Sequence, residues 1–139
     1  MQTFLPYKDF HRSAKVLDNR RLGKQRVEAY QIINTLEGRS SGWKNHPIVK
    51  MWEGHEEALK VYYNVICKEW IRRGFKHNMG FYRIKKKRLS YPAWLGREEF
   101  HLSHRSNLLR KDYNHYKQYF DEPTNLPYVR NHDNVYRNL

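Results

Sequence analysis

Leu17 to Leu36 reads LDNRRLGKQRVEAYQIINTL. On a 3.6-residue wheel Leu22, Ala29, Ile33 and Leu36 share one arc, with Tyr30 and Ile32 at its edges, and this spacing predicts a helix whose arc faces the core. An ordinary amphipathic helix keeps such an arc apolar. Here Gln25 and Arg26 project from the arc or its edge, and Glu28 and Arg21 share its border beside Ile32. The pattern predicts a half-buried Glu28 with arginine close by and marks this helix as the working surface. The competing reading is a plain surface pair of Glu28 with Lys24 at i,i+4.

Toward the N-terminus, Pro6 disfavours helix at Leu5, so residues 1–7 read as an extended arm. Asp9 is an N-cap candidate for a short helix to about Leu17. Toward the C-terminus, GRSSG at 38–42 is turn chemistry, Pro47 opens a brief helix and Gly54 ends it. Trp43 and Trp52 in that connector read as packing anchors. Ala58, Val61, Tyr62, Val65, Ile66 and Trp70 predict a second long helix over Glu56–Arg73, with Gly74 as its C-cap. Residues 76–96 read as a long basic and aromatic surface loop carrying Lys85, Lys86, Lys87 and Arg88. A third helix is predicted from Glu98 to about Phe120, with Ser103–Ser106 as a possible interruption, and the tail after Asp121 is irregular. The expected architecture is all-α: a compact single domain of about three main helices with long basic and aromatic loops.

The 139 residues carry 27 Lys plus Arg against 14 Asp plus Glu, a net charge of +13, with 15% aromatic residues. That balance attracts phosphate, and the tyrosines offer stacking faces to unpaired bases. The lone Cys67 excludes an intramolecular disulfide and a cysteine zinc site. No apolar run of signal-peptide or membrane-span character is present, so a soluble, intracellular protein is expected, in the cytoplasm or nucleoid or in the host cell of a virus.

His101 and His104, with His46 and His55, invite a metal reading, but no HExxH pattern, acidic cluster or cysteine pair accompanies them, and no metal or cofactor is expected. Neither Cys67 nor any serine sits in a recognisable nucleophile motif. Amine chemistry remains: an α-amino group titrates ordinarily near ~7.7 and is partly neutral at cellular pH. Beside a helical carboxylate such an amine can attack C1′ of a damaged nucleotide, displace the base as an imine forms and promote β-elimination of the 3′ phosphate.

Three features in order, Asp18-Leu22-Glu28, Pro47 followed by Gly54-His55, and Arg73-Gly74-Phe75, make the chain resemble the pyrimidine-dimer DNA glycosylases with AP-lyase activity of the phage endonuclease V type. The tyrosine-rich stretch Tyr113 to Phe120 resembles that family's aromatic C-terminal region, while residues 76–100 align poorly. The resemblance implies a mostly helical monomer that binds and kinks double-stranded DNA containing damaged bases or abasic sites and flips a nucleotide out. It makes Glu28 the catalytic glutamate and the N-terminal amine the nucleophile. Because Gln2 is bulky and opposes removal of the initiator, that amine is assigned to Met1. Val27 and Gln31 stand where the phage enzyme has arginines, so Arg20, Arg21 and Arg26 inherit the phosphate contacts, joined by His55, Lys85, Lys86, Lys87, Arg88 and Arg105. A non-catalytic nucleic-acid-binding module using the same surface is the alternative; a third reading is an enzyme acting on RNA or a modified nucleotide.

Overall fold

Asp9 and Asp18 start the first two helices by the same device. Asp9 accepts the Arg12 N–H (2.9 Å) and Asp18 the Arg21 N–H (3.3 Å), each satisfying a donor that has no partner within its own helix. In the computed structural model, which describes residues 1–86 and 88–129, the helices are α1 (Phe10–Val16), α2 (Asn19–Leu36), α3 (Pro47–Trp52), α4 (Glu56–Arg72), α5 (Glu98–Lys111) and α6 (Tyr113–Tyr116). The fold is all-α, and among the described residues no helix is long and apolar enough to cross a membrane. The expectation of about three main helices corresponds to α2, α4 and α5; α1, α3 and α6 are short.

Helix α2 lays Leu22, Ala29, Ile32 and Ile33 on α4, whose Leu59, Tyr62 and Ile66 are likewise fully buried. At about 1.5–3 kcal/mol per buried large aliphatic side chain, this pair is the main apolar contribution to the fold. Gly23 permits the close approach, for a Cβ there would meet the Trp70 ring at 2.9 Å. At the far end of α4, Arg73 donates to Ala14 O and Lys15 O (3.1 Å each) and to Asn19 Oδ1 (3.0 Å). Its guanidinium thereby closes the end of α1 and fixes the corner at which α2 begins. Gly74 follows in the left-handed region (φ 93°), where Gly is favoured.

The third predicted helix stops earlier than expected. Helix α5 runs through Ser103–Ser106 without interruption and ends at Lys111, where Asp112 (φ −152°, ψ 77°) leaves the helical region and caps α6 through His115 N–H (3.3 Å). The serines do not break α5: Ser103 Oγ donates back to Phe100 O (2.7 Å) within the helix while accepting from Val129 N–H, and Ser106 Oγ accepts from Leu126 N–H. Trp52 is a core residue, but Trp43 is 46% exposed and only meets the edge of His46, so it is not a packing anchor.

Candidate active site

The N-terminal arm has no helix and no strand partner, yet Thr3 to Pro6 are buried. Buried backbone groups need hydrogen-bond partners, and side chains from α2, α4 and α5 provide them, while α3 holds the Thr3 side chain. Gln2 N–H donates to Glu28 Oε2 (3.0 Å), and Gln2 O accepts from Gln25 Nε2 (2.7 Å). Thr3 Oγ1 accepts from the Trp52 indole (3.0 Å). Phe4 N–H donates to Gln25 Oε1 (2.9 Å), and Phe4 O accepts from the Tyr62 hydroxyl (2.8 Å).

Leu5 is gripped by the two histidines that invited a metal reading. His104 Nδ1 accepts the Leu5 N–H (3.0 Å). His101 Nε2 accepts Gly96 N–H (2.9 Å), which leaves its Nδ1–H to donate to Leu5 O (2.8 Å). Burial depresses both imidazoles, that of His104 to about 3, so both are neutral clamps. Among the described residues no group of three or more His, Cys, Asp or Glu converges as a metal site.

The arm's first residues end at a cavity of about 440 Å³. Met1, Gln2, Phe4 and Glu28 line it together with Arg20, Arg21, Lys24, His46 and Lys111. Among the described residues Glu28 is therefore the lone carboxylate in a wall of four cationic side chains. Arg21 is held by Asp18 (3.2 Å), which also accepts a short hydrogen bond from the buried Tyr116 hydroxyl. Burial alone would raise the Asp18 carboxyl, but Tyr116 and Arg21 outweigh it and hold it below its ordinary value. Tyr62, beneath the arm, is raised well above its ordinary value by burial and by the nearby Glu28 charge, and stays a protonated donor. From the amide that bonds Glu28, covalent dimensions keep the Met1 amine within roughly 7 Å of that carboxylate oxygen.

The other sequence-read residues scatter. Arg20 and Arg21 line the cavity. Arg26 lies on the far flank of α2, bonded to His77 Nδ1 (3.2 Å) and packed over Trp70. His55 begins α4 and ties Ser90 to it (3.1 Å), away from the cavity. Lys85, Lys86 and Arg88 are exposed on the loop beyond α4, and Lys87 lies outside the described residues. Arg105 is not a surface cation: buried, it bonds Glu98, Glu122 and Pro6 O (2.8 Å), so its charge is neutralised inside the fold. Sequence reasoning gave no site role to Lys24, His46 or Lys111, because the cavity assembles them from α2, α3 and α5. Gln25 was visible as a polar residue on an apolar arc, which was the available signal.

No curated protein and no solved structure matches the chain. The family model described as pyrimidine dimer DNA glycosylase matches residues 1–83, the segment that holds the arm, Gln25, Glu28 and Tyr62. The chain belongs to the pyrimidine dimer DNA glycosylase family.

Proposed function

We propose that the protein is a DNA glycosylase with AP-lyase action on damaged pyrimidines, in which the N-terminal amine is the nucleophile and Glu28 the assisting carboxylate. One observation carries the reading: the start of the chain is fastened to a helical glutamate, Gln2 N–H to Glu28 Oε2 at 3.0 Å, at the wall of a cationic cavity. The neutral amine bonds to C1′ and the base departs with the electrons of the glycosidic bond. Ring opening gives an imine between the amine nitrogen and C1′. Loss of a C2′ proton then expels the 3′ phosphate, and water releases the enzyme. Glu28 stabilises the positive charge that develops at C1′ and moves protons, while Arg20, Arg21, Lys24 and Lys111 hold the flanking phosphates.

Either form of the terminus suits this chemistry. With Met1 retained, its amine is the nucleophile; with Met1 removed, the nitrogen already 3.0 Å from Glu28 becomes the amine. The deciding experiment is borohydride trapping on a duplex with one abasic site, with the cross-linked peptide identified by mass spectrometry. A covalent adduct on the first residue is expected. No adduct, or unimpaired trapping by an N-terminally acetylated chain, would remove the amine from the mechanism and leave a binding module.

A further inference from the structure

We infer that the protein carries a second nucleic-acid surface, for an unpaired strand, on the flank of α2 opposite Glu28. A cavity of about 670 Å³ there is lined by Tyr30 and Asn34 of α2, Glu37, Arg39, Lys60 of α4, and Phe81, Tyr82, Arg83 and Lys85. On the helical wheel Tyr30 and Glu37 lie roughly 160–180° from Glu28, and Glu37 lies about 14 Å further along the axis. The two cavities share no lining residue.

The charge of this surface suits a polyanion. Arg39, Lys60, Arg83 and Lys85 line it against one carboxylate, Glu37, which Arg39 (2.8 Å) and Lys60 (2.6 Å) already neutralise. Lys86 and Arg88 continue the exposed basic run. The rings suit bases. Tyr30 is 39% exposed and Phe81 49% exposed, and both belong to one aromatic cluster centred on the buried Tyr63, through direct contact and through His77 respectively.

The loop that presents Phe81 is pinned by α4. Asn64 donates to Tyr82 O (2.8 Å) and accepts from Tyr82 N–H (2.9 Å), the Tyr63 hydroxyl donates to Gly80 O (3.0 Å), and Glu57 accepts from Lys85 N–H (3.4 Å). A fixed loop thus holds a large apolar ring in water beside Arg83 and Lys85, which form no ion pair among the described residues. A duplex offers such rings only base edges, whereas an unpaired strand offers base faces to stack upon. The occupant is therefore a single-stranded segment, its phosphates on Arg83 and Lys85 and its bases on Tyr30 and Phe81. This assignment is independent of the amine chemistry at Glu28.

The test is fluorescence anisotropy with a labelled oligothymidylate of about ten nucleotides and, in parallel, an undamaged hairpin duplex, at one fixed salt concentration. Wild-type protein should bind both. Tyr30→Ser/Phe81→Ser should bind the oligothymidylate roughly 30-fold more weakly or worse, the low end of stacking on two rings, with duplex affinity held within about three-fold. Arg83→Glu, whose fold does not depend on an apolar ring, should lower the salt dependence of oligothymidylate binding by about one phosphate contact. No binding of oligothymidylate by the wild type, an unchanged affinity in the double variant, or an equal loss for the duplex would overturn the assignment.

Discussion

Gln25→Leu should cost the protein both stability and its site. The leucine occupies nearly the same volume but removes a fully buried amide whose two ends serve the arm. Phe4 N–H loses its acceptor at 2.9 Å and Gln2 O its donor at 2.7 Å, while the Tyr62 hydroxyl keeps Phe4 O at 2.8 Å. Two orphaned groups at about 1–3 kcal/mol each give a loss of roughly 4 kcal/mol, a large share of the ~5–15 kcal/mol typical of a domain. Urea unfolding followed by circular dichroism measures that loss. The site consequence is separate: without Gln25 the Gln2 N–H still meets Glu28 but the carbonyl of Gln2 loses its anchor, so the arm can shift, and displacement of a reacting group by about 1 Å costs on the order of 100-fold in rate. Borohydride trapping on abasic-site duplex, at a temperature where the variant is folded, measures it. Gln25→Glu provides the control, since it keeps an acceptor for Phe4 N–H but turns a like charge toward Gln2 O and Glu28. It should lose at least as much stability, because a carboxylate at this fully buried position costs more than the restored acceptor returns, and a similar factor in rate. A Gln25→Leu protein that unfolds with the wild type would refute the hydrogen-bond argument, and one that traps at the wild-type rate would refute the positioning argument.

Glu28→Gln should keep abasic-site DNA affinity within a few-fold while strand cleavage falls by about 100-fold or more; unchanged cleavage would discount Glu28. Stability should fall on acidification below neutrality, because His104 in the fold titrates at about 3 against ~6.5 unfolded, so between those values the unfolded chain holds the extra proton and stability rises with pH. From pH 7 to pH 5 that difference amounts to about 2 kcal/mol; urea midpoints read it, and His104→Asn should flatten the profile. Gly23→Ala, which in an open helix would stabilise by about 1 kcal/mol, should instead be neutral to destabilising by about 1–2 kcal/mol, because the new methyl meets Trp70 at 2.9 Å; a higher melting temperature would contradict the packing. Arg105→Met should lower stability by about 3 kcal/mol yet leave the salt dependence of DNA binding unchanged, whereas Arg20→Gln should do the reverse, lowering the log–log salt slope by about 0.9.

Helices α2 and α4 were legible because their buried faces are apolar at helical spacing and their C-terminal ends are marked by the turn residues at 38–42 and by Gly74. Glu28 was legible for the same reason: it breaks an otherwise regular border. Helix α5 was legible in its start at Glu98 but not in its end at Lys111 or in which side chains it buries, because much of its buried face is polar. His101, Ser103, His104, Arg105, Ser106 and Asn107 are all buried, and periodicity cannot tell such a face from solvent. Their partners, Leu5, Pro6, Leu126 and Val129, are distant in sequence. For Arg105 the signal at hand was Glu98, two turns earlier on the same face of α5; it was outweighed by the basic surroundings. The cavity was half legible for a related reason. Its α2 wall could be read from one helix, but Lys111, His46 and the arm arrive from separate segments, and only tertiary packing brings them together.

The way the arm is fastened bears on where the site's precision comes from. Chain termini ordinarily fray, and an extended arm without a ladder has no regular backbone partners. Here residues 2–4 are held from within the segment that matches the family, by Glu28, Gln25, Trp52 and Tyr62. Residues 5 and 6 are held from outside it, by His101, His104 and Arg105 of α5. The second group bonds backbone atoms only one residue further along an arm with little freedom left. A displacement of α5 therefore reaches Glu28 through the backbone of Phe4 and Gln2, although His101, His104 and Arg105 do not themselves line the cavity. Beside Lys111 and Tyr128, which line the cavity, the chain beyond residue 83 thus helps to fix the angle at which the arm reaches Glu28, and in the proposed mechanism that angle decides whether a nitrogen at the chain's start meets a carboxylate or water.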